Sequence, residues 1–323
     1  MRQAGRYMAE YRALRERFSL LELCRHPELA VTVTLQPVNA IDVDAAILFS
    51  DLLLPFTPMG LDFDFVKGEG PSIERPIEHA SDVDRLRVVE PREELAHVLE
   101  TIRLLRLELA DRVPLIGFGG APFTLAAYAI EGGPSTNYAK AKAFMYAQPE
   151  AWHRLCDRFA RFVADYMRAQ VDAGAQAIQI FDSWAGQLSR ADYREFALPH
   201  TKLIFDALAG TVPTIHFGVN TGAILADMAE AGGDVIGVDW RAPLDESWNL
   251  IGHDRGIQGN LDPVRLLGPA DRMFDAADDI LRRAAGRPGH IFNLGHGVLP
   301  QTPLEHVQRL AAHVHQWRPS TQG

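Results

Sequence analysis

Seven short apolar runs, each followed by a helical pattern or a loop, constrain the fold more than any other feature. Strands that alternate with helices predict a parallel sheet, whose strands are buried on both faces and read as unbroken apolar stretches. With one further strand at the N-terminus, the pattern predicts a (β/α)8 TIM-type barrel. We expect that first strand to be missing or truncated ahead of Met1. The seven runs lie at residues 47–51, 113–118, 177–181, 213–217, 235–238, 257–259 and 290–293.

Length and charge exclude several classes of protein. The 323 residues suit a single barrel domain spanning 1–323, and 47% hydrophobic residues are ordinary for a globular chain. A formal net charge of −10 disfavours nucleic acid as a partner. No apolar run approaches the roughly 20 residues that a membrane span needs. With only Cys24 and Cys156, a disulfide framework is not expected, so we predict a cytoplasmic protein.

The segments between the strands predict helices and one long connection. Pro27 is placed to start a helix that Pro37 would kink or end. Residues 55–90 are rich in proline and glycine, and the alternating apolar residues at 61–65 predict a small hairpin there. Residues 149–173 carry the clearest helical pattern, with a glycine at its C-terminal end.

The first apolar run ends in a carboxylate. Ala45–Ser50 are apolar or small, and Asp51 follows at the point where a parallel strand ends, which is where α/β enzymes place their chemistry. A carboxylate among apolar side chains is costly unless a cation or N–H groups meet it. The alternative is that Asp51 caps the next turn, and this stretch by itself does not decide between them.

The other strand ends carry glycine together with polar or aromatic residues. In a barrel these segments converge on one mouth, and glycine lets a loop approach a ligand closely. The segments are Gly117 to Pro122, Asp182 to Trp184, Gly218 to Asn220, Asp239 to Arg241, Gly259 to Asp262 and Asn293 to Gly297.

Two arginines near the start and one histidine near the end are candidates for anion binding. Arg2 and Arg6 lie four residues apart and would share one face of a helical turn. Guanidinium groups at a cleft clamp carboxylates well, although surface arginines are the commoner explanation of such a pair. His296, between two glycines at a strand end, favours ligand contact over core filling.

Other polar residues favour structural roles. We expect Asp182 to cap a turn rather than to act at the site, and His216 to be a satisfied core histidine. His313 and His315 indicate a solvated helix end rather than a metal-ligand pair. Residues 117–120 do not match the G-x-G-x-x-G pattern, so a dinucleotide site is rejected.

Eight longer motifs are spread over nearly the whole chain. They are MRQAGRY (1–7), AAILFSDLL (45–53), GEGP (68–71), GFGGAPFTLAAYAIEGG (117–133), IFDSWAG (180–186), GVDWR (237–241), QGNLDP (258–263) and FNLGHGVLP (292–300). In these motifs the chain resembles the uroporphyrinogen decarboxylase family. They occur in family order, and the first and the last are the most specific.

The resemblance implies a (β/α)8 barrel, a homodimer and a role in porphyrin biosynthesis. It implies loss of the four acetate carboxyls of uroporphyrinogen III, which gives coproporphyrinogen III. The family's substrate-binding positions correspond to Arg2, Gln3, Ala4, Gly5, Arg6, Asp51, Tyr128, Ser183 and His296, and Phe181 matches a residue that packs on the macrocycle. Asp51, Arg2 and Tyr128 are the catalytic candidates.

The chemistry suggests why no cofactor would be needed. A protonated pyrrole can take up the electrons that decarboxylation leaves, so no metal, pyridoxal or flavin is required. Asp51 would stabilise that cation, and its attraction would grow as the ring becomes charged. The proton donor stays open among Arg2, Arg6, Tyr128, His296 and water.

Two other functions compete. Cobamide-dependent methyltransferases are similar in fold but bind zinc through a His-x-Cys pair and a later cysteine. This chain has Gly218 where the first thiolate would stand, after His216 and Phe217, so the zinc site fails. A non-catalytic tetrapyrrole carrier would use the same cationic residues, but it gains little from a buried carboxylate.

Overall fold

The computed structural model describes residues 3–66 and 70–318. Its strands are β1 (Ala46–Ile47), β2 (Phe63–Val66), β3 (Gly70–Ile73), β4 (Leu115–Gly120), β5 (Ala177–Asp182), β6 (Thr214–Gly218), β7 (Val235–Gly237), β8 (Gly256–Leu261) and β9 (His290–Leu294).

Helices fill most of the connections. They are α1 (Ala9–Arg17), α2 (Leu20–Arg25), α3 (Pro27–Ala40), α4 (Phe56–Met59), α5 (Ala80–Asp84), α6 (Pro91–Glu94), α7 (Ala96–Leu109), α8 (Pro122–Glu131), α9 (Ala139–Ala147), α10 (Pro149–Ala173), α11 (Arg190–Asp192), α12 (Leu198–Leu208), α13 (Leu225–Ala231), α14 (Leu244–Ile251), α15 (Ala270–Ala284) and α16 (Leu304–Gln316). A π-helical turn, Tyr193–Ala197, joins α11 to α12.

Seven strands form one parallel sheet in the order β1-β4-β5-β6-β7-β8-β9. The order follows the chain, with helices in the crossovers, as the predicted (β/α)8 pattern requires. Within the described residues β1 and β9 are the two edges and do not pair with each other. The remaining pair, β2 and β3, forms the small antiparallel hairpin that the sequence predicts.

The first strand is shorter than predicted. Regular pairing with β4 covers only Ala46 and Ile47, followed by one further bond from Leu48 N to Ile116 O. Beyond that point the fully buried Gln170 side chain bonds both backbone groups of Phe118, at 3.0 Å each. The Gln170 amide thus takes the place of β1 beside the second half of β4. The chain after β1 needs no further pairing there and turns at Asp51.

Side chains also satisfy the outer edge of β1. The Gln3 amide donates to Ala45 O at 2.7 Å and accepts from Ile47 N at 2.9 Å. The Thr34 hydroxyl accepts from Phe49 N at 3.0 Å. Buried backbone groups need such partners, and these bonds fix the N-terminal segment and α3 against the strand.

Two helices test the sequence signals. Of the two predicted effects of Pro37, a kink or the end of the helix, the end is excluded, because α3 continues to Ala40 and Ile41 N bonds Pro37 O. Only the last turn lies beyond the proline, so little helix follows the bond that its ring removes. The prediction for α10 is confirmed from Pro149 to Ala173, with Gly174 as its left-handed C-cap at φ 119°.

Apolar residues of the helices pack on the outer face of the sheet. The larger cluster includes Trp152, Phe159 and Met167 of α10, all fully buried, of which Met167 lies beside Gly119 of β4. A second cluster joins β7 and β8 to α14 and α15 around Trp248. Among the described residues, every helix is too short or too polar to cross a bilayer.

Candidate active site

Three phenylalanines line the inner face of the sheet. On β5, Ile180 and Asp182 face the helices and are fully buried, so Phe181 between them faces the barrel interior. Its ring makes edge contacts with Phe118 at 5.5 Å and with Phe217 at 5.9 Å. We call these three residues the phenyl wall. The prediction singled out Phe181, and strand register adds the other two.

The candidate catalytic carboxylate, Asp51, lies four residues after β1. Asp51 is partly buried, and its carboxylate accepts a hydrogen bond from Leu53 N at 2.9 Å. This is the turn-capping bond that the alternative interpretation predicts. A carboxylate accepts up to about four hydrogen bonds, so capping is compatible with a second role toward a ligand.

The residue before Asp51 lies close to the helix layer. Burial raises the pKa of the Tyr166 phenol on α10, and hydrogen bonding with Gln170 and Ser50 opposes that rise. Ser50 is therefore near α10, while the Asp51 carboxylate bonds its own turn.

The N-terminal segment lies against the same strand. Gln3 bonds β1 as described, Ala4 is buried, Gly5 is partly buried, and Arg6 is exposed. Residues 4–8 form bends and turns, and α1 begins at Ala9, so Arg6 does not lie in a helix. Arg2 lies outside the described residues.

Tyr128 and Ser183 meet around one tryptophan. Tyr128, on α8, makes an edge contact with Trp184, which follows Ser183 directly, at 5.8 Å. The ring of Tyr138 also contacts Trp184, at 5.2 Å. Burial, with the nearby Tyr128 and Glu131, raises the pKa of Tyr138, so that phenol stays protonated. Sequence reasoning missed Tyr138, which no local pattern marks.

His296 lies after the last strand. It is exposed, as expected for a ligand-contacting histidine, and its ring makes an edge contact with Trp240 at 6.4 Å. The Arg241 guanidinium stacks on Trp240 at 4.3 Å and pairs with Asp239. The sequence analysis placed Trp240 and Arg241 at a strand end but did not name them as site candidates. Their position at a strand end was the signal that could have identified them.

The structure corrects the predictions that Asp182 caps a turn and that His216 is a fully hydrogen-bonded core histidine. Asp182 does not cap a turn: it is fully buried, and the Thr124 hydroxyl donates to it at 3.4 Å. His216 is buried as predicted, but only Nδ1 bonds backbone carbonyls, and Nε2 faces the Asp182 carboxylate at 3.6 Å. Residues 3–66 and 70–318 contain no group of three His, Cys, Asp or Glu side chains arranged to hold a metal ion.

The strand ends therefore bring three sets of residues to one edge of the sheet. Phe181 belongs to the phenyl wall, and Tyr128 contacts Trp184 directly after Ser183. Asp51 and Gln3 lie at β1, and His296 lies beside Trp240 after β9. Aromatic rings, a carboxylate and an imidazole therefore follow strands of one sheet.

Comparison with known proteins decides the family. The model of the family described as "Uroporphyrinogen decarboxylase (URO-D)" matches residues 1–317. The chain belongs to the uroporphyrinogen decarboxylase family. The resemblance inferred from the motifs is thereby confirmed.

Relatives of high identity carry the same name. A uroporphyrinogen decarboxylase of Carboxydothermus hydrogenoformans is 55% identical over 317 residues, which are 98% of this chain and 91% of the relative. One of Sorangium cellulosum is 54% identical over 316 residues, 98% of this chain and 90% of the relative.

A solved structure supports the fold. A methyltransferase from Methanosarcina mazei superposes with a TM-score of 0.80 at 23% identity, covering 92% of this chain and 88% of that one. At that identity the likeness concerns architecture alone. It agrees with the predicted TIM-type barrel, to which the curled seven-stranded sheet corresponds.

Proposed function

We propose that this enzyme removes the four acetate carboxyls of uroporphyrinogen III, one after another, to give coproporphyrinogen III and CO2. Decarboxylation in porphyrin biosynthesis follows from the family and from relatives above 50% identity over almost the whole chain. The observation that supports the finer proposal is that a partly buried carboxylate, Asp51, follows β1, while the phenyl wall lies on β4, β5 and β6 of the same sheet.

The reaction needs an electron sink and a proton. Protonation of the ring carbon next to the one that bears the acetate makes the ring cationic and places positive charge on the acetate-bearing carbon. The bond to the carboxylate then breaks, its electron pair neutralises the ring, and CO2 leaves. A proton added to the exocyclic carbon completes the methyl group while the ring carbon loses its own. Each cycle consumes one proton, and we propose no cofactor for it.

We assign to Asp51 the stabilisation of the cationic ring. Four pyrrole N–H groups of a puckered macrocycle can converge on one carboxylate, while the phenyl wall packs against the ring face. In a partly desolvated site the attraction is weakly screened and strengthens as the ring gains charge. An interaction stronger in the transition state than in the ground state lowers the barrier.

We assign to Arg2, Gln3, Ala4, Gly5, Arg6 and His296 the binding of the substrate's carboxylates, and to Tyr128 and Ser183 its positioning. The protein is net acidic, so local cations must outweigh the overall field at the site. Arg2 is our choice of proton donor. We further propose a homodimer in the cytoplasm and one barrel domain over residues 1–323.

The test is anaerobic turnover of uroporphyrinogen III by the purified protein and by Asp51→Asn. Wild type should release CO2 and form coproporphyrinogen, and Asp51→Asn should lose about 100-fold or more of kcat. Asp111→Asn, at an exposed loop position, is the matched control and should keep full activity.

Two outcomes would contradict the proposal. Wild type that binds the macrocycle without releasing CO2 is a carrier rather than a decarboxylase. Asp51→Asn with turnover near the parent value leaves the turn-capping bond to Leu53 as that residue's whole role, and removes the carboxylate from the mechanism.

A further inference from the structure

A buried pair of titratable groups lies directly behind the phenyl wall. Asp182 on β5 and His216 on β6 occupy the helix-facing side of the two strands, and neither has any exposed surface. Phe181 and Phe217 are their immediate chain neighbours and face the opposite side of the sheet. The pair is therefore one backbone unit from the aromatic surface, and it does not contact the substrate side.

Hydrogen bonding fixes the protonation of one histidine nitrogen. His216 Nδ1 lies 3.2 Å from Met228 O and 3.2 Å from Gly232 O. Carbonyl oxygens only accept, so Nδ1 carries a proton and donates it. In a neutral imidazole the other nitrogen, Nε2, would then hold a bare lone pair.

That lone pair would face a carboxylate. His216 Nε2 and Asp182 Oδ2 are 3.6 Å apart, and neither atom has another hydrogen-bond partner in the described part of the chain. Two acceptors facing each other in a fully buried site repel, and a buried carboxylate without a counter-charge is costly. One further proton, on either partner, removes both penalties.

The surrounding groups cannot supply the missing charge. Cys156 of α10 and Tyr193 of the π-helical turn pack nearby, and burial together with the Asp182 carboxylate raises the pKa of each. Both stay neutral donors at working pH. Thr124 of α8 is uncharged, and His216 is the only ion-pair partner of Asp182 among the described residues.

We propose that Asp182 and His216 hold one proton between them and act together as a positioning pair for the end of β5. Thr124 carries the effect onward, since its hydroxyl donates to Asp182 at 3.4 Å and accepts from Trp184 N at 3.3 Å. The residues before and after Ser183 are thereby tied to one hydroxyl. The positioning role rests on the proposed function, but the shared proton does not.

The shared proton is tested by NMR of the full-length protein labelled with 15N at the histidine rings. In wild type at pH 7, the His216 Nε2 signal should show a protonated or strongly hydrogen-bonded nitrogen. In Asp182→Asn, the carboxylate is gone, and Nε2 should move to the position of a neutral, unprotonated nitrogen. His200, whose pKa burial and the nearby His153 lower to about 4, provides an internal neutral reference.

The positioning role is tested by Thr124→Val, which removes the hydroxyl at nearly constant shape. We expect kcat to fall about 10-fold while KM changes less than threefold, because misplacement affects the reacting geometry more than overall binding. Thr101→Val, which removes another buried hydroxyl that bonds within α7, is the matched control and should retain wild-type kcat.

The outcomes separate the claims. A wild-type His216 Nε2 signal at pH 7 that shows an unprotonated nitrogen without a hydrogen bond, or one that is unchanged by Asp182→Asn, overturns the shared proton whatever the enzyme's activity. Equal kcat in Thr124→Val and Thr101→Val overturns the positioning role. Absence of CO2 release by wild type defeats the proposed function while leaving the NMR result to decide the pair.

Discussion

At the scale of single residues, Gly186 shows why a loop at the site tolerates no side chain. A Cβ there would lie 2.2 Å from Val219 O and 2.5 Å from Asn220 O, both backbone atoms. Gly186 follows β5, and Val219 and Asn220 follow β6, so two site loops meet at this point. Backbone cannot move aside as a flexible side chain can, so the loops would have to separate.

Gly186→Ala should therefore lower the free energy of unfolding by about 1–3 kcal/mol through overpacking. Catalytic activity should fall as well, since Gly186 lies three residues after Ser183. Gly222→Ala is the matched control, because a Cβ there has no atom within 4 Å. Urea unfolding measures the stability of both variants. Equal unfolding midpoints would show that a Cβ at residue 186 causes no clash.

At the scale of elements, a network of four charges joins α11 and the π-helical turn to α13. The Asp227 carboxylate is almost fully buried and accepts from Arg190 at 2.7 Å and from Arg194 at 2.6 Å. Arg194 also pairs with Glu230 at 2.6 Å. These bonds lower the pKa of Asp227 against the opposing effect of its burial.

Asp227→Ala should destabilise the protein by about 2 kcal/mol at pH 7, in line with lost hydrogen bonds to charged groups. Asp206→Ala, which removes the exposed pair with Lys202 on α12, is the control and should cost less than about 0.5 kcal/mol. Chemical unfolding at several pH values measures both.

The pH dependence of that loss has a definite sign. A carboxyl whose pKa is lower in the folded state stabilises the fold above its unfolded pKa of about 3.9, and this stabilisation disappears as the pH falls through the folded value. The difference between wild type and Asp227→Ala should therefore shrink in acid. A difference that grows below pH 4 would show that the carboxylate does not act through its charge.

The sequence predicted most elements and fewer of their contacts. Apolar runs located every strand of the sheet and the full length of α10, because strand and helix periodicity are local properties. The end of β1 at Ile47 could not be read, since it depends on Gln170, more than 100 residues away, replacing the strand. For the same reason Phe181 was selected alone, and only register joined it to Phe118 and Phe217.

At the scale of the whole molecule, the last helix, α16, bonds the segment between the end of α3 and β1. Gln308 donates to Ala40 O at 2.7 Å, and His315 lies 3.2 Å from Asp42 and 3.1 Å from Asp44. His313 pairs with Asp278 at 2.7 Å. Both histidines lie in the last turn of α16 and are partly exposed, as predicted, but each also pairs with an aspartate distant in sequence. Contacts between residues so far apart have no local signature in the sequence.

The His315 contact should make part of the stability depend on pH. The hydrogen bond and charge of Asp44, with those of Asp42, raise the pKa of His315 over the opposing effect of burial. A raised pKa means that the protonated form is favoured in the folded state. The stabilisation is then complete below the unfolded pKa of about 6.5 and is lost as the pH rises through the folded value.

His315→Gln should consequently lower Tm at pH 5.5 and leave it unchanged at pH 9. Both aspartates are highly exposed, so solvent screening limits the contribution to less than about 1 kcal/mol, or roughly 1–3 °C. Asp44→Asn should reproduce the effect, because Asp44 makes the larger contribution, and Asp111→Asn should not. Added salt should reduce the difference at pH 5.5, since exposed charges are screened. A Tm difference that is the same at both pH values would mean that His315 joins α16 to the segment before β1 by packing and neutral hydrogen bonds, with no ion pair between the two ends of the chain.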